Sequence, residues 1–161
     1  MSLTNNQKIT PFLWFDTNAE EAINFYTSIF KDSKIGKVVR WPEGGPGPEG
    51  SLLTADFTLS GQVFTAINGG PQFKFNESIS FVVDCEEQDE VDYYWNKLVE
   101  GGEESQCGWL KDKFGLSWQI VPRILIKYLQ DKDTVKAGKV MQAMLQMRKI
   151  DVAKIKAAHE S

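Results

Sequence analysis

The chain has 161 residues, 42% of them hydrophobic and 25% charged, which is ordinary for a globular protein. Its formal net charge of −4 argues against a nucleic-acid binder, because such a protein needs a basic surface to offset phosphate. No apolar run approaches the roughly 20 residues that span a bilayer, and no signal peptide opens the chain, so we expect no membrane partner. The length predicts one domain over residues 1–161, and two cysteines are typical of a reduced, cytoplasmic protein with buried thiols.

The first apolar run, residues 9–16, has the length of a strand and is apolar on successive positions, which predicts burial on both faces. Asn18 follows as a candidate helix N-cap, with Glu21 three residues later as in a capping box. Apolar residues at helical spacing then predict a helix up to about residue 31. Three strands should complete this first module, at residues 34–41, 52–59 and 62–68, with a Gly/Pro-rich loop at 42–50.

The same order of elements recurs about 69 positions later. Residues 78–85 predict a second leading strand, 87–99 a helix, and 107–111 and 116–121 further strands. The sequence therefore predicts an α+β protein of two βαβββ modules, at about 9–70 and 78–122. Duplicated units of this kind pack together, so we expect curved mixed sheets that form a half-barrel cleft, with any ligand between the modules.

A helical tail, at about 123–161, belongs to neither repeat. Its apolar stripe is covered either by its own sheet or by a partner subunit, since an exposed stripe is unusual for a monomer. We expect the second arrangement, in a homodimer. The stripe comprises Val140, Met144, Met147, Val152 and Ile155.

These segments resemble the PhnB-like branch of the vicinal-oxygen-chelate superfamily, the glyoxalase and bleomycin-resistance fold. That branch is often labelled 3-demethylubiquinone-9 3-methyltransferase. The resemblance covers nearly the whole chain, and its most specific stretch is Cys107–Pro122. The other segments that carry it are residues 9–16, 19–22, 25–26, 68–71, 90–95, 101–102 and 140–147.

The resemblance implies paired βαβββ modules and, in metal-dependent members, a divalent ion held by His, Gln or Glu side chains. These come from the first and last strands of each half. In this chain the internal repeat puts those positions at Pro11, Thr65, Ser80 and Gln119, within one residue of register. Proline offers no side-chain donor, and hydroxyl and amide groups are weak neutral donors for a transition ion. We therefore expect no typical metal site.

Other candidate metal ligands are few. The single histidine, His159, lies three residues from the end and is expected to be a solvated tail residue. Asp16, Asp56 and Asp84 sit on predicted strands and form a carboxylate alternative, although strand-end or helix-capping roles are more common for such residues.

The methyltransferase label predicts S-adenosylmethionine binding, which normally uses a glycine-rich turn that opens a helix. The glycine cluster at 44–50 contains two prolines and precedes a strand, and Gly69-Gly70 leads into Pro71. Both segments are interpreted as loops or linkers. The label is unsupported by these residues, and we expect no cofactor.

The sequence instead favours a small hydrophobic or aromatic ligand, held by aromatic side chains with a few polar groups. A thiol nucleophile at Cys107 would lack a histidine to activate it, so an inert buried thiol is expected there. We expect a binding or sequestration protein. The alternative is a metal-dependent lyase or dioxygenase with altered ligands. The candidate ligand-binding residues are Phe12, Trp14, Phe64, Asn68, Ser80, Cys107, Trp109, Trp118 and Gln119.

Overall fold

The computed structural model describes residues 7–161 and forms two compact units, the first ending at Lys74 and the second running from Phe75 to Ser161. The first unit contains β1 (Phe12–Phe15), α1 (Ala19–Ile29), β2 (Lys34–Arg40), β3 (Leu52–Leu59) and β4 (Gln62–Asn68). The second contains β5 (Ser80–Cys85), α2 (Gln88–Leu98), β6 (Glu103–Glu104), β7 (Trp109–Lys111) and β8 (Ser117–Pro122), followed by α3 (Arg123–Leu129), α4 (Thr134–Leu145) and α5 (Val152–Glu160). The α+β class, the two modules and the helical tail are confirmed.

Each unit has one four-stranded mixed sheet with the same topology. The strand orders are β1-β4-β3-β2 and β5-β8-β7-β6, so the first strand of each module pairs in parallel with the last. Parallel pairing needs a crossover connection, which the helix of each module provides. The two-residue strand β6 gives the second sheet a short edge. Within the described part of the chain, residues 7–161, no helix is long and apolar enough to cross a membrane.

The first sheet is buried on one face only. Phe57 stacks between Tyr26 of α1 at 6.4 Å and Phe64 at 5.3 Å, and Leu13 and Phe15 are buried with them. The expected burial of the first strand on both faces is wrong, because α1 covers one side and Phe12, on the other, stays 59% exposed. Alternation along the strand therefore separates a packed face from an open one.

The second sheet follows the same rule. Val91, Trp95 and Leu98 of α2 are buried, as are Leu110, Trp118 and Ile120 on the strands beneath that helix. Val82, which alternates with the buried Val83 on β5, is 59% exposed. One face of this sheet is therefore a core. The other is covered in part, because Val121 packs with the helical tail while Val82 stays exposed.

The cap of α1 comes from a distant strand. Asn18 occupies the N-cap position, but its side chain makes no capping hydrogen bond, which corrects the sequence prediction for that residue. Asn68, the last residue of β4, accepts a hydrogen bond from the backbone N–H of Ala19 at 2.8 Å and donates one to the carbonyl of Leu52 at 3.1 Å. The end of the parallel strand pair thus holds the start of the helix.

The tail packs within its own unit. Val140, Met147, Val152 and Ile155 are buried and Met144 is partly buried. The backbone N–H groups of Cys107 and Gly108 donate to the carbonyls of Met147 and Arg148, which ties the tail to the loop before β7. Intrachain cover of the stripe is therefore confirmed, and the expectation that a partner subunit covers it is wrong.

His159 is also different from its prediction. Its ring stacks on Tyr128 with 3.8 Å between centroids, and its Nε2 lies 2.7 Å from an oxygen of Asp131. The contact with His159 is the main cause that lowers the pKa of Asp131. The histidine is a partly buried residue that joins α5 to the end of α3 through these two contacts.

We predict that Asn68→Ala lowers the free energy of unfolding by about 1–2 kcal/mol, because it removes the side-chain cap of α1. Asn18→Ala is the matched control and should change it by less than about 0.5 kcal/mol, since Asn18 makes no such bond. Urea unfolding followed by circular dichroism measures both. Equal losses for the two variants, or a larger loss for Asn18→Ala, would contradict the assignment of the cap.

Candidate functional site

The candidate site is built from the sheet faces that α1 and α2 leave uncovered, which we call the open faces. The register places Phe12 and Trp14 on the open face of the first sheet. Ser80, Trp109 and Gln119 lie on the open face of the second. Five of the nine predicted ligand-binding residues therefore lie on open faces.

The polar centre of the second open face is a pair of neutral side chains. Gln119 Nε2 donates a hydrogen bond to Ser80 Oγ at 2.9 Å, across the parallel strands β8 and β5. Both side chains are partly buried. Gln119 has two direct cross-strand neighbours. They are Trp109 on the antiparallel strand β7 and Val82 on the parallel strand β5. A polar pair with an indole beside it is a common arrangement for holding a small molecule.

Ser117 is a further polar residue on this face that the sequence analysis did not select. It is the cross-strand partner of Ser80, is 1% exposed, and its Oγ makes no hydrogen bond to any described residue. Its spacing two residues before Gln119 in β8 is the signal that could have identified it, because alternate residues share a face.

Charged groups on the second open face are largely paired. Lys111 forms an ion pair with Glu77, which lowers the pKa of that carboxyl and raises the pKa of the lysine. Glu103 is the cross-strand neighbour of Lys111 and also favours its charged form. The corner around Lys111 therefore carries more acidic than basic groups.

The first open face carries the aromatic residues Phe12 and Trp14, and Phe12 is the cross-strand neighbour of Thr65. The indole N–H of Trp14 donates to the carbonyl of Gly70 at 2.9 Å, and Phe73 meets the ring edge to face at 5.0 Å. Gly69 lies so close that an added Cβ would stand 2.3 Å from the indole, which explains why glycine is required there. The indole is thus fixed by the segment after β4, while Phe12 remains exposed.

Four predicted ligand-binding residues lie elsewhere. Phe64 and Trp118 are buried on the helix-covered faces, with the indole N–H of Trp118 bonded to Asp112 at 2.9 Å. The amide of Asn68 is engaged in capping α1. Cys107 is in the loop before β7 and is a partly exposed free thiol. Their ligand contacts stay predictions, and we do not carry them into the proposed site.

The metal positions can now be compared in register. Thr65 in the first module corresponds to Gln119 in the second, and their strand partners are Phe12 and Val82. Two residues before these partners lie Thr10 and Ser80, so Thr10, and not Pro11, is the equivalent of Ser80. The one-residue shift arises because the strand-to-helix connection is longer in the first module, 16–18 against 86–87. This set contains hydroxyls and one amide, and Thr65 already donates to Asp56 at 2.7 Å. These donor groups do not fit a transition ion well.

The acidic alternative is also accounted for. Asp56 accepts the hydrogen bond from Thr65, and Asp84 pairs with Arg123 at 2.7 Å. Asp16 is an exposed residue directly after β1. Over residues 7–161, no group of three or more His, Cys, Asp or Glu side chains is placed to hold a metal ion.

The glycine-rich segments take the positions that the sequence predicts for loops. Residues 44–50 connect the antiparallel strands β2 and β3, and Gly69-Gly70 follows β4 and leads into the connection between the units. Neither segment opens a helix. The phosphate-binding turn of a nucleotide fold has such a helix directly after it.

Comparison with solved structures gives a close relative. The PhnB protein of Bacillus cereus, described as a 3-demethylubiquinone-9 3-methyltransferase, is 42% identical, with a TM-score of 0.68 over 72% of this chain and 99% of that chain. The protein PA1353 of Pseudomonas aeruginosa is 19% identical, with a TM-score of 0.59 over 71% of this chain and 96% of that chain. The fosfomycin resistance protein FosX of Listeria monocytogenes is 14% identical, with a TM-score of 0.57 over 78% and 98% of the two chains. The last two show likeness of fold alone.

No curated protein gives a significant match to the chain. The family model named 3-demethylubiquinone-9 3-methyltransferase matches residues 7–121, which contain both modules. The name describes that family, and no methyltransferase activity follows from it for this chain. The family model covers more than half of the chain, and the Bacillus cereus relative is 42% identical. The chain therefore belongs to this PhnB-like family of the vicinal-oxygen-chelate superfamily.

Proposed function

We propose that the chain binds a small aromatic or hydrophobic molecule on the open faces of its sheets, without a strongly held metal ion. The observation that carries the proposal is the second open face, where Trp109 and the exposed Val82 flank the Ser80–Gln119 pair. Such a surface combines a flat apolar wall with polar groups that orient a ligand.

The packing of the sheets supports this choice of surface. Large aromatic side chains on the helix-covered faces, such as Phe57 and Trp118, are buried and fulfil a structural role. Phe12 on β1 and Val82 on β5 are apolar yet 59% exposed, whereas the next residue of each strand, Leu13 or Val83, is buried. On the second open face Val82 and the partly exposed Trp109 both adjoin Gln119, and neighbouring apolar side chains on one face mark a contact surface more than single scattered ones do.

The alternative is an enzyme, a metal-dependent lyase or dioxygenase with altered ligands. FosX of Listeria monocytogenes has been solved with Mn(II), but at 12% identity that complex speaks only for the fold. Neutral hydroxyl and amide donors at Thr10, Thr65, Ser80 and Gln119 make the alternative weaker. Near-stoichiometric Mn, Fe, Ni or Zn in purified, untagged protein would favour the enzyme over the binding protein.

We further propose a homodimer, on grounds other than the tail. β1 and β5 are edge strands of their sheets, and apolar residues on or beside them are exposed, with Ile9 84% and Ile79 66% exposed. An edge strand with uncovered apolar side chains is an open surface for pairing, and a second copy of the chain offers the same strands.

Binding of the aromatic probe naphthalene, measured by equilibrium dialysis, tests the proposed function. Trp109→Ala should weaken it by roughly tenfold, because the variant removes the indole wall beside Gln119. Tyr93→Ala is the control, since Tyr93 is an exposed aromatic residue on α2, and it should change the affinity by less than about twofold. The proposal fails if the unaltered protein does not bind naphthalene, or if both variants bind it equally well.

Light scattering after size exclusion tests the assembly. The expected mass is about 36 kDa, twice the 18.2 kDa of the chain. Ile79→Lys should give a monomer, because a charge directly before the edge strand β5 opposes pairing. Val135→Lys changes an equally exposed residue on α4 and should leave the dimer intact. An 18.2 kDa mass at micromolar concentration for the unaltered chain would rule out the dimer.

A further inference from the structure

We infer that the Ser80–Gln119 pair holds the polar end of an uncharged ligand, so that the site selects neutral carbonyl, amide or hydroxyl compounds over carboxylates and phosphonates. The inference rests on the proposed function of the second open face and names the chemical class that this face accepts.

The first argument is a count of donors and acceptors. Gln119 uses one N–H to donate to Ser80 Oγ. Among the described residues, neither side chain makes a hydrogen bond to a third residue. The serine hydroxyl can then donate its own proton, and Gln119 retains a second N–H and its carbonyl oxygen. The pair therefore presents both donors and an acceptor. An amide or hydroxyl group matches this set, whereas a carboxylate has acceptors only.

Ser117 adds a third neutral group at the same place. It is the cross-strand partner of Ser80, on a strand roughly 4.8 Å away. Its buried hydroxyl makes no hydrogen bond to a described residue, and an unsatisfied buried hydroxyl costs about 1–3 kcal/mol.

Electrostatics gives the second argument. Among the described residues of this face the cations are already ion-paired, Lys111 with Glu77 and Arg123, directly after β8, with Asp84. Glu103 lies across the strand from Lys111 and adds a further negative charge. An anionic head would meet no unpaired cation here and would lose its hydration, which disfavours carboxylates and phosphonates.

Three probes that share the naphthalene ring separate the contribution of the polar head group to the affinity from that of the ring. They are naphthalene, 2-naphthamide and 2-naphthoate. In equilibrium dialysis at pH 7, 2-naphthamide should bind about tenfold more tightly than naphthalene, which corresponds to one to two net hydrogen bonds. 2-Naphthoate should bind no more tightly than naphthalene, because its charge finds no cation.

Two variants locate the effect. Gln119→Leu should remove the preference for 2-naphthamide and keep the affinity for naphthalene within about twofold. Ser80→Ala should reduce the preference and serves as the second variant if Gln119→Leu does not fold. Gln142→Leu is the control, because Gln142 is an exposed glutamine on α4, and it should retain the full preference.

The outcomes are distinguishable. If naphthalene binds but 2-naphthoate binds as tightly as 2-naphthamide, or if Gln119→Leu keeps the preference, the neutral-head inference is wrong and the proposed function stands. If the unaltered protein does not bind naphthalene, the proposed function itself is wrong.

Discussion

Parallel pairing of the first and last strands is the constraint on which each unit depends. It brings β1 beside β4 and β5 beside β8, and the crossover helix then covers one side of each sheet. Asn68 shows how closely the parts are linked, because the end of β4 caps the helix that follows β1. The same pairing sets Ser80 beside Gln119. One arrangement of strands thus produces both the packed core and the surface opposite it.

The two faces of each sheet have different chemistry because they have different neighbours. On the covered faces, polar atoms are used internally: Trp118 donates to Asp112, and Asp112 also accepts from the backbone of Phe114 and Leu116. The thiol of Cys85, buried on that side, has its pKa raised to about 12 by desolvation, so it is inert. On the open face of the second sheet, by contrast, neutral hydrogen-bonding groups remain beside an indole. The proposed binding surface is therefore this face.

The fold was largely predictable from the sequence, since the repeated order of elements fixes strand and helix positions within a few residues. Long-range packing was not predictable. The pattern at residues 9–16 cannot show that one face lacks a covering helix, and no local signal identifies Asn68 as the cap of a helix 49 residues away. Burial of the tail, and of His159 within it, likewise depends on contacts between distant segments. The nine candidate ligand-binding residues include both Trp118 and Gln119, although alternation along β8 places these neighbours on opposite faces of the sheet, and five of the nine lie on open faces.

The indole N–H resonances of the five tryptophans test the central claim, that ligand meets the open faces and not the covered ones. Two-dimensional ¹H–¹⁵N spectra recorded during titration with 2-naphthamide should show the Trp109 signal moving in proportion to occupancy. The indole N–H of Trp95 donates to Glu104 and that of Trp118 donates to Asp112. Both rings are buried, so their signals should stay in place. A titration that shifts Trp95 or Trp118 while Trp109 remains unchanged would contradict this account.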